Sequence, residues 1–299
     1  MDKNDLTLEY IVTETHAGFE RQGFGSPEAT LKALGFAENF RDIKKALDIG
    51  CGTGGQTLAL AQNISGGVVG MDICPQFIDV LNSKAARLGL QERVKGMTGS
   101  MDALPFAAGE FGLVWCEGVL DSNNFKQMLA YWNTFLAGGG HAAVSCPAWI
   151  SDRRPSEVEN FWGGYGCALE SIGGYISMMH GAGFNFVAAF ALPEECWTDN
   201  YFVPRAKADN ALAVKYPNSE VLKAYIAENK EEADLYEKFN KDYGYFFYWA
   251  KKQLTTLKKT FHFKPLPSVW LRRCFFLAGA APRGASSPMS RRKRLSRFG

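Results

Sequence analysis

The chain has 299 residues, 46% apolar and 21% charged, with a formal net charge of +2. That is ordinary for a globular protein with an ample core, and no apolar run approaches the ~18 residues that would cross a bilayer. The charge is uneven: residues 264–299 hold nine Lys or Arg and no acid, leaving 24 basic against 31 acidic residues over 1–263. So acidic a body argues against a dedicated nucleic-acid enzyme, since phosphate contacts need clustered Lys and Arg.

The start, Met1-Asp2-Lys3-Asn4-Asp5, lacks the apolar segment of a secretion leader, so a cytoplasmic place is expected. Seven cysteines lie scattered without a Cys-x-x-Cys pair. That pattern predicts reduced, buried thiols rather than a zinc site or a disulfide framework, and no metal is expected. Leu6, Leu8, Ile11 and Val12 predict a helix within residues 6–20, and Arg21-Gln22-Gly23-Phe24-Gly25 breaks it. Ser26-Pro27-Glu28 begins another, with Ser26 as N-cap, Leu31 and Leu34 inward and Gly35 as the stop.

Ala46-Leu47-Asp48-Ile49-Gly50-Cys51-Gly52-Thr53-Gly54-Gly55 is the stretch around which the chain is arranged. A short apolar strand enters a glycine turn, and a helical pattern follows from Gln56. Glycines let backbone approach a ligand, and the helix start offers free N–H groups and a positive dipole end. Gly50, Gly52 and Gly55 fit Gly-x-Gly-x-x-Gly, which admits a nicotinamide or flavin site or another nucleoside site. Asp48 separates them: a carboxylate two residues before the first glycine is wasted beside a pyrophosphate and suits a cationic group.

From Leu47 to Gly54 the sequence resembles motif I of the class I S-adenosylmethionine-dependent methyltransferases, (V/L)-(D/E)-x-G-x-G-x-G. The resemblance implies S-adenosylmethionine as cofactor, with Asp48 near its ammonium and Gly50, Cys51, Gly52, Gly54 and Gln56 beneath its methionine and ribose. It also implies an α/β, Rossmann-like seven-stranded sheet of order 3-2-1-4-5-7-6, strand seven antiparallel, with helices on both faces. Residues 1–45 are then an N-terminal helical segment, with 6–25 lying over the cofactor as a lid. Residues 46–252 are the methyltransferase domain, and 253–299 a C-terminal extension whose basic tail is expected to be disordered from about 265.

Gly67 to Asp72 reads as the second strand. Asp72, with Ile73 after it, stands where a strand-end carboxylate accepts hydrogen bonds from two ribose hydroxyls. Pro75 to Leu88 reads as a helix with Phe77, Ile78, Leu81, Ala85 and Leu88 inward, closed by Gly89. After a third strand at 94–98, Gly99-Ser100-Met101-Asp102-Ala103-Leu104-Pro105-Phe106 resembles the Gly-Asp-Ala-x-x-Leu-Pro-Phe segment of the ubiquinone and menaquinone biosynthesis methyltransferases. By that resemblance Asp102 accepts from the adenine amino group and Met101, beside Ser100, offers its backbone N–H to the ring. Phe111 to Gly118 is the fourth strand and its exit, which turns Glu117 toward cofactor or acceptor.

A helix is expected at 125–136, and Gly138-Gly139-Gly140 reads as a turn into a fifth strand at 141–146. His141 sits at the opposite face and reads as structural. Cys146-Pro147 reverses the Pro-Cys order of DNA cytosine methyltransferases and is not taken as a nucleophile. Residues 148–167 read as an aromatic, charged loop, followed by a helix at 175–180 and a strand at 184–192. A helical insertion over 199–242 precedes a last strand at 243–250. Gln22 to Glu28 and Glu195 to Asp199 also resemble segments of an uncharacterised bacterial group, which fixes no substrate. Methyl transfer to a small molecule is the reading. Glu117, then Tyr201 and Asp152, are the candidates for orienting the acceptor or taking its proton. The alternatives are an NAD(P)-dependent oxidoreductase and a non-catalytic S-adenosylmethionine-binding subunit.

Overall fold

The computed structural model describes residues 6–254. The basic tail therefore lies outside the described residues. Helix α1 (Leu8–His16) starts at Thr7, whose hydroxyl accepts from the Tyr10 N–H. Helix α2 (Pro27–Leu34) starts at Ser26, whose Oγ accepts from the Ala29 N–H. Its buried stripe is Ala29, Thr30, Ala33 and Leu34, so Leu31, expected inward, is instead 44% exposed. Thr30 takes the inward place because its hydroxyl has buried partners, described below.

Strand β1 (Lys45–Ile49) lies at the centre, paired in parallel with β2 (Gly67–Asp72) and β4 (Phe111–Glu117). Helix α3 (Gly55–Asn63) joins β1 to β2, and α4 (Pro75–Arg87) joins β2 to β3 (Val94–Thr98). Leu88 falls just past α4 and is exposed, because the chain turns away there through Gly89 in the left-handed region. Helix α5 (Phe125–Asn133) ends earlier than expected: Leu136 already pairs with Phe111 in β5 (Leu136–Trp149). The three glycines expected as a turn thus lie inside the strand. The pairing shifts register opposite them, as at a bulge.

The region after β5 is not a plain loop. It holds α6 (Ser156–Gly164) and a two-residue strand β6 (Glu170–Ser171) that pairs with the end of β5. Then come α7 (Ile172–Gly181), β7 (Phe184–Ala191), α8 (Val203–Lys215), α9 (Glu220–Phe239) and β8 (Tyr243–Lys252). The sheet order is β3-β2-β1-β4-β5-β8-β7, with β8 antiparallel to both neighbours. Apart from the extra β6, this is the expected seven-stranded Rossmann-like order. Alternation along β8 places Tyr243, Tyr245, Phe247 and Trp249 in the core on one face and Phe246, Tyr248 and Ala250 in the core on the other. No helix among the described residues is long and apolar enough to cross a membrane.

Candidate functional site

A cavity lies beyond the carboxyl ends of β1, β2 and β4, enclosing with the open solvent at its mouth about 940 Å³. That is the crevice where open α/β sheets hold ligands. Its floor is the glycine turn. Gly50, Gly52 and Gly54 have φ of 71°, 53° and 88°, left-handed values that side chains with a Cβ rarely adopt. Gly52 has a second constraint: a Cβ there would stand 2.1 Å from Gln22 Oε1.

Gln22 clasps the N-terminal segment to this floor. Its Oε1 accepts from the Thr53 N–H at 2.6 Å, and its Nε2 donates to Thr53 Oγ1 at 2.8 Å. Thr53 Oγ1 in turn donates to the Phe19 carbonyl at 2.9 Å. The segment before α2 therefore lies across the glycine turn.

One wall ends in Asp72. Its Oδ2 accepts from the Gly52 N–H at 3.0 Å and its Oδ1 from the Cys74 N–H at 2.9 Å. The Ile73 N–H also bonds this carboxylate, which still has acceptor capacity for a further donor. Burial raises its pKa, against those backbone hydrogen bonds. Ile73, Ser100 and Met101 line the cavity near this end. Asp102 does not; its carboxylate accepts from the Ser100 hydroxyl.

The opposite wall holds an ion pair. Arg21 Nη1 donates to Glu117 Oε2 at 2.8 Å, and each side chain is 7% exposed. Arg21 Nη2 donates to Thr30 Oγ1 at 2.6 Å. Glu117 Oε1 accepts from Thr30 Oγ1 at 3.1 Å and from Trp115 Nε1 at 2.8 Å. One lone pair thus remains on Glu117 Oε2, and Arg21 Nε is buried with no hydrogen-bond partner. Both residues line the cavity.

Of the other residues marked in the sequence, Cys51 and Gln56 line the cavity, whereas Asp48, Gly54, Asp152 and Tyr201 do not. Asp48 is fully buried behind the turn, accepting from Thr57 Oγ1 at 2.6 Å and from Gln56 Nε2 at 3.5 Å. Desolvation pushes its pKa up to about 7 despite the Thr57 bond. Tyr201 is buried, accepts from Arg205 at 3.2 Å, and has its pKa raised to about 12, chiefly by burial. Asp152 is exposed. Sequence reasoning missed Arg21, Gln22 and Phe24 as cavity residues. The glycines flanking Phe24 showed a break in helix, but Arg21 and Glu117 lie 96 positions apart and no local pattern joins them.

Residues 46–140 match the family model described as a methyltransferase domain. Over 130 residues the chain is 34% identical to ajmaline N-methyltransferase of Rauvolfia serpentina, covering 42% of this chain and 45% of that one. Over 91 residues it is 33% identical to a probable chloroplastic tocopherol O-methyltransferase of Oryza sativa subsp. japonica, covering 29% of this chain and 25% of that one. The chain thus spans less than half the length of either relative. A structure of an S-adenosylmethionine-dependent methyltransferase from Geobacter sulfurreducens, in complex with S-adenosyl-L-homocysteine, superposes with a TM-score of 0.67 at 19% identity, covering 84% of this chain and 100% of that one. The cyclase SpnF superposes at 0.63 and 18%, covering 83% and 93%. At those identities the structural likeness shows the fold alone.

Proposed function

We propose that this chain, which carries a class I S-adenosylmethionine-dependent methyltransferase domain, transfers a methyl group to a small-molecule acceptor. The observation that carries the reading is the polarity of the cavity from end to end. Asp72 offers two carboxylate oxygens at one wall. The Arg21–Glu117 pair at the other leaves Arg21 N–H groups, Nε among them, and one acceptor lone pair, on Glu117, for a guest. A ligand with a ribose diol at one end and a zwitterionic amino acid at the other satisfies all of them. A dinucleotide's pyrophosphate would meet carboxylates instead.

The residues present therefore fit the cofactor. Asp72 would hold the ribose hydroxyls, with Ser100 and Met101 beside the adenine. Arg21 Nε would hold the carboxylate of its methionine, and Glu117 the ammonium. The role first given to Asp48 passes to Glu117, since the Asp48 oxygens are taken by Thr57 and Gln56. When bound, S-adenosylmethionine supplies a methyl group already activated on a sulfonium, so transfer needs positioning and desolvation more than proton chemistry.

The strap from Phe19 to Gly25 acts as a lid. Gln22 fixes it to the glycine turn, Arg21 fixes it to Glu117, and Asn200 Nδ2 holds the Gly25 carbonyl at 3.1 Å. Its closure would exclude water from the reacting atoms. The 199–242 insertion would cover the acceptor side. Tyr201 and Asp152 remain candidates for the acceptor's proton, though Tyr201 would first have to leave Arg205. The presence of a cyclase among the structural neighbours means that the fold alone does not decide for methyl transfer.

The experiment is to incubate the protein with methyl-labelled S-adenosylmethionine and a library of small acceptors. Label in an acceptor, with matching S-adenosylhomocysteine, supports the reading. Cofactor binding without transfer to any acceptor would leave a binding subunit as the better account.

A further inference from the structure

Phe24 lines the cavity and is 4% exposed. Its ring meets Trp197 at 4.0 Å, Tyr201 at 4.7 Å and Tyr245 at 4.8 Å between centroids. Trp197 and Tyr201 belong to the turn before α8, which is wound as a π-helix from Thr198 to Phe202. Such turns recur at functional sites.

Among the polar atoms buried here without a hydrogen-bond partner are Tyr245 Oη and His16 Nε2, with Tyr243 Oη on the far side of Trp197. Tyr245 touches the Phe24 ring directly, and His16 packs on Tyr201 at 6.1 Å between centroids. The tautomer of His16 follows from its other nitrogen. Nδ1 lies 3.1 Å from the Val12 carbonyl, which can only accept. Nδ1 also lies 2.9 Å from Thr15 Oγ1, which gives its own hydrogen to the Ile11 carbonyl at 2.8 Å; Nδ1 then carries the ring hydrogen and Nε2 is a bare lone pair. Burial, and then Arg205, hold the ring's pKa down at about 3, so it stays neutral. Unpaired buried polar atoms cost stability, and a pair of them in one aromatic cluster calls for a partner from outside the chain.

Phe24 stands between Gly23 and Gly25, and Gly25 has a φ of 151°. Gly23 is different: a Cβ there would meet no atom within 4 Å, and its φ is not in the left-handed region. The closed structure gives no reason for glycine at 23, whereas a hinge does.

We propose that Phe24 is a gate and that its ring occupies the acceptor subsite. When it swings aside, an uncharged planar ring compound bearing a hydroxyl group takes its place. The hydroxyl is read by Tyr245 Oη and His16 Nε2, and Trp197 and Tyr201 stack on the ring. The nearby charges are already paired, Arg21 with Glu117 at 2.8 Å and Arg205 with Glu232 at 2.7 Å. A charged acceptor would therefore be buried without a counter-ion. The proposal rests on the methyltransferase reading, since the methyl donor must sit in the adjoining cavity.

The test uses the full chain, with and without S-adenosylhomocysteine, titrated with 2-naphthol and with naphthalene-2-sulfonate by calorimetry. Phe24→Ala should bind 2-naphthol about tenfold tighter than wild type or more, because no gate has to open. The sulfonate should bind neither protein. Tyr245→Phe should weaken 2-naphthol roughly five- to tenfold, the worth of one hydrogen bond, while its melting temperature stays level or rises because an unpaired hydroxyl is gone. A Phe24→Ala protein that binds S-adenosylhomocysteine but no 2-naphthol overturns the proposal. So does a Tyr245→Phe protein that melts lower with its naphthol affinity intact, since the hydroxyl is then structural. Phe24→Leu, which keeps an apolar side chain in place, stands in if the alanine variant does not fold. Failure of wild type to bind S-adenosylhomocysteine would strike the underlying reading instead, and the cofactor-free titration would still report on the gate.

Discussion

Replacing Glu117 by Gln separates the two roles this carboxylate could have. In the structure it accepts from Arg21 Nη1 and Trp115 Nε1, both at 2.8 Å, and from Thr30 Oγ1 at 3.1 Å. An amide has one acceptor oxygen and one NH₂ group. Whichever way it turns, an N–H faces a donor, either Arg21 or Trp115 with Thr30. Arg21 is then left as a buried charge without its partner, and both side chains are 7% exposed, so solvent screens little of the loss. Breaking one side of a buried pair costs roughly 3–5 kcal/mol. The strap loses its latch at the same time, so affinity for S-adenosylhomocysteine should fall as well. Urea unfolding and calorimetry measure the two effects. Adding Arg21→Met should recover part of the stability, because the uncompensated charge goes with it, but not the cofactor affinity. If Glu117→Gln unfolds and binds S-adenosylhomocysteine like wild type yet loses turnover, the latch reasoning is refuted and Glu117 is an acceptor-side base.

Asp72→Ala removes two acceptors that face the cavity and should weaken cofactor binding by roughly 1.5–3 kcal/mol, read by calorimetry. Gly52→Ala puts a residue with a Cβ at φ 53° and drives that Cβ to 2.1 Å from Gln22 Oε1. Left-handed strain and the lost Gln22–Thr53 bonds together should cost about 2–3 kcal/mol in denaturant unfolding. Burial raises the folded pKa of Asp48 from the ordinary 3.8 to about 7. The folded state thus holds the extra proton between those values, and stability from this group is present below about pH 4 and lost as pH rises through about 7. Asp48→Asn should flatten that part of the stability–pH curve, and an unchanged slope between pH 4 and 7 would show that Asp48 does not titrate there.

The half of the fold that binds cofactor was legible because its signals are local. The glycine turn after β1, the acid closing β2 and the approach to Leu104-Pro105-Phe106 are each contiguous runs, and the structure places Gly50, Gly52, Asp72, Ser100 and Met101 round one cavity. The strands were read from their periodicity, and their order in the sheet was what the family resemblance implied. What stayed hidden depends on contacts across the sequence. Thr30 turns inward, and Leu31 outward, because of Arg21 and Glu117, and Glu117 lies 87 positions away. Gly138 to Gly140 read as a turn because glycines usually punctuate, yet pairing of Leu136 with Phe111 holds them in a strand. Helix α6 was obscured by the aromatics of its buried side, Phe161 and Trp162, which read as a loop lining a site. The acceptor side has no contiguous motif at all. In the proposal above it is assembled from the strap, the turn before α8 and one face of β8.

The central claim is that the cavity recognises a nucleoside joined to a zwitterionic amino acid. Calorimetry with S-adenosylhomocysteine, 5′-methylthioadenosine and NAD tests it most directly. The account predicts firm binding of S-adenosylhomocysteine, much weaker binding of methylthioadenosine, which has the ribose for Asp72 but nothing for Arg21 and Glu117, and no binding of NAD. Firm binding of NAD with none of S-adenosylhomocysteine would contradict it.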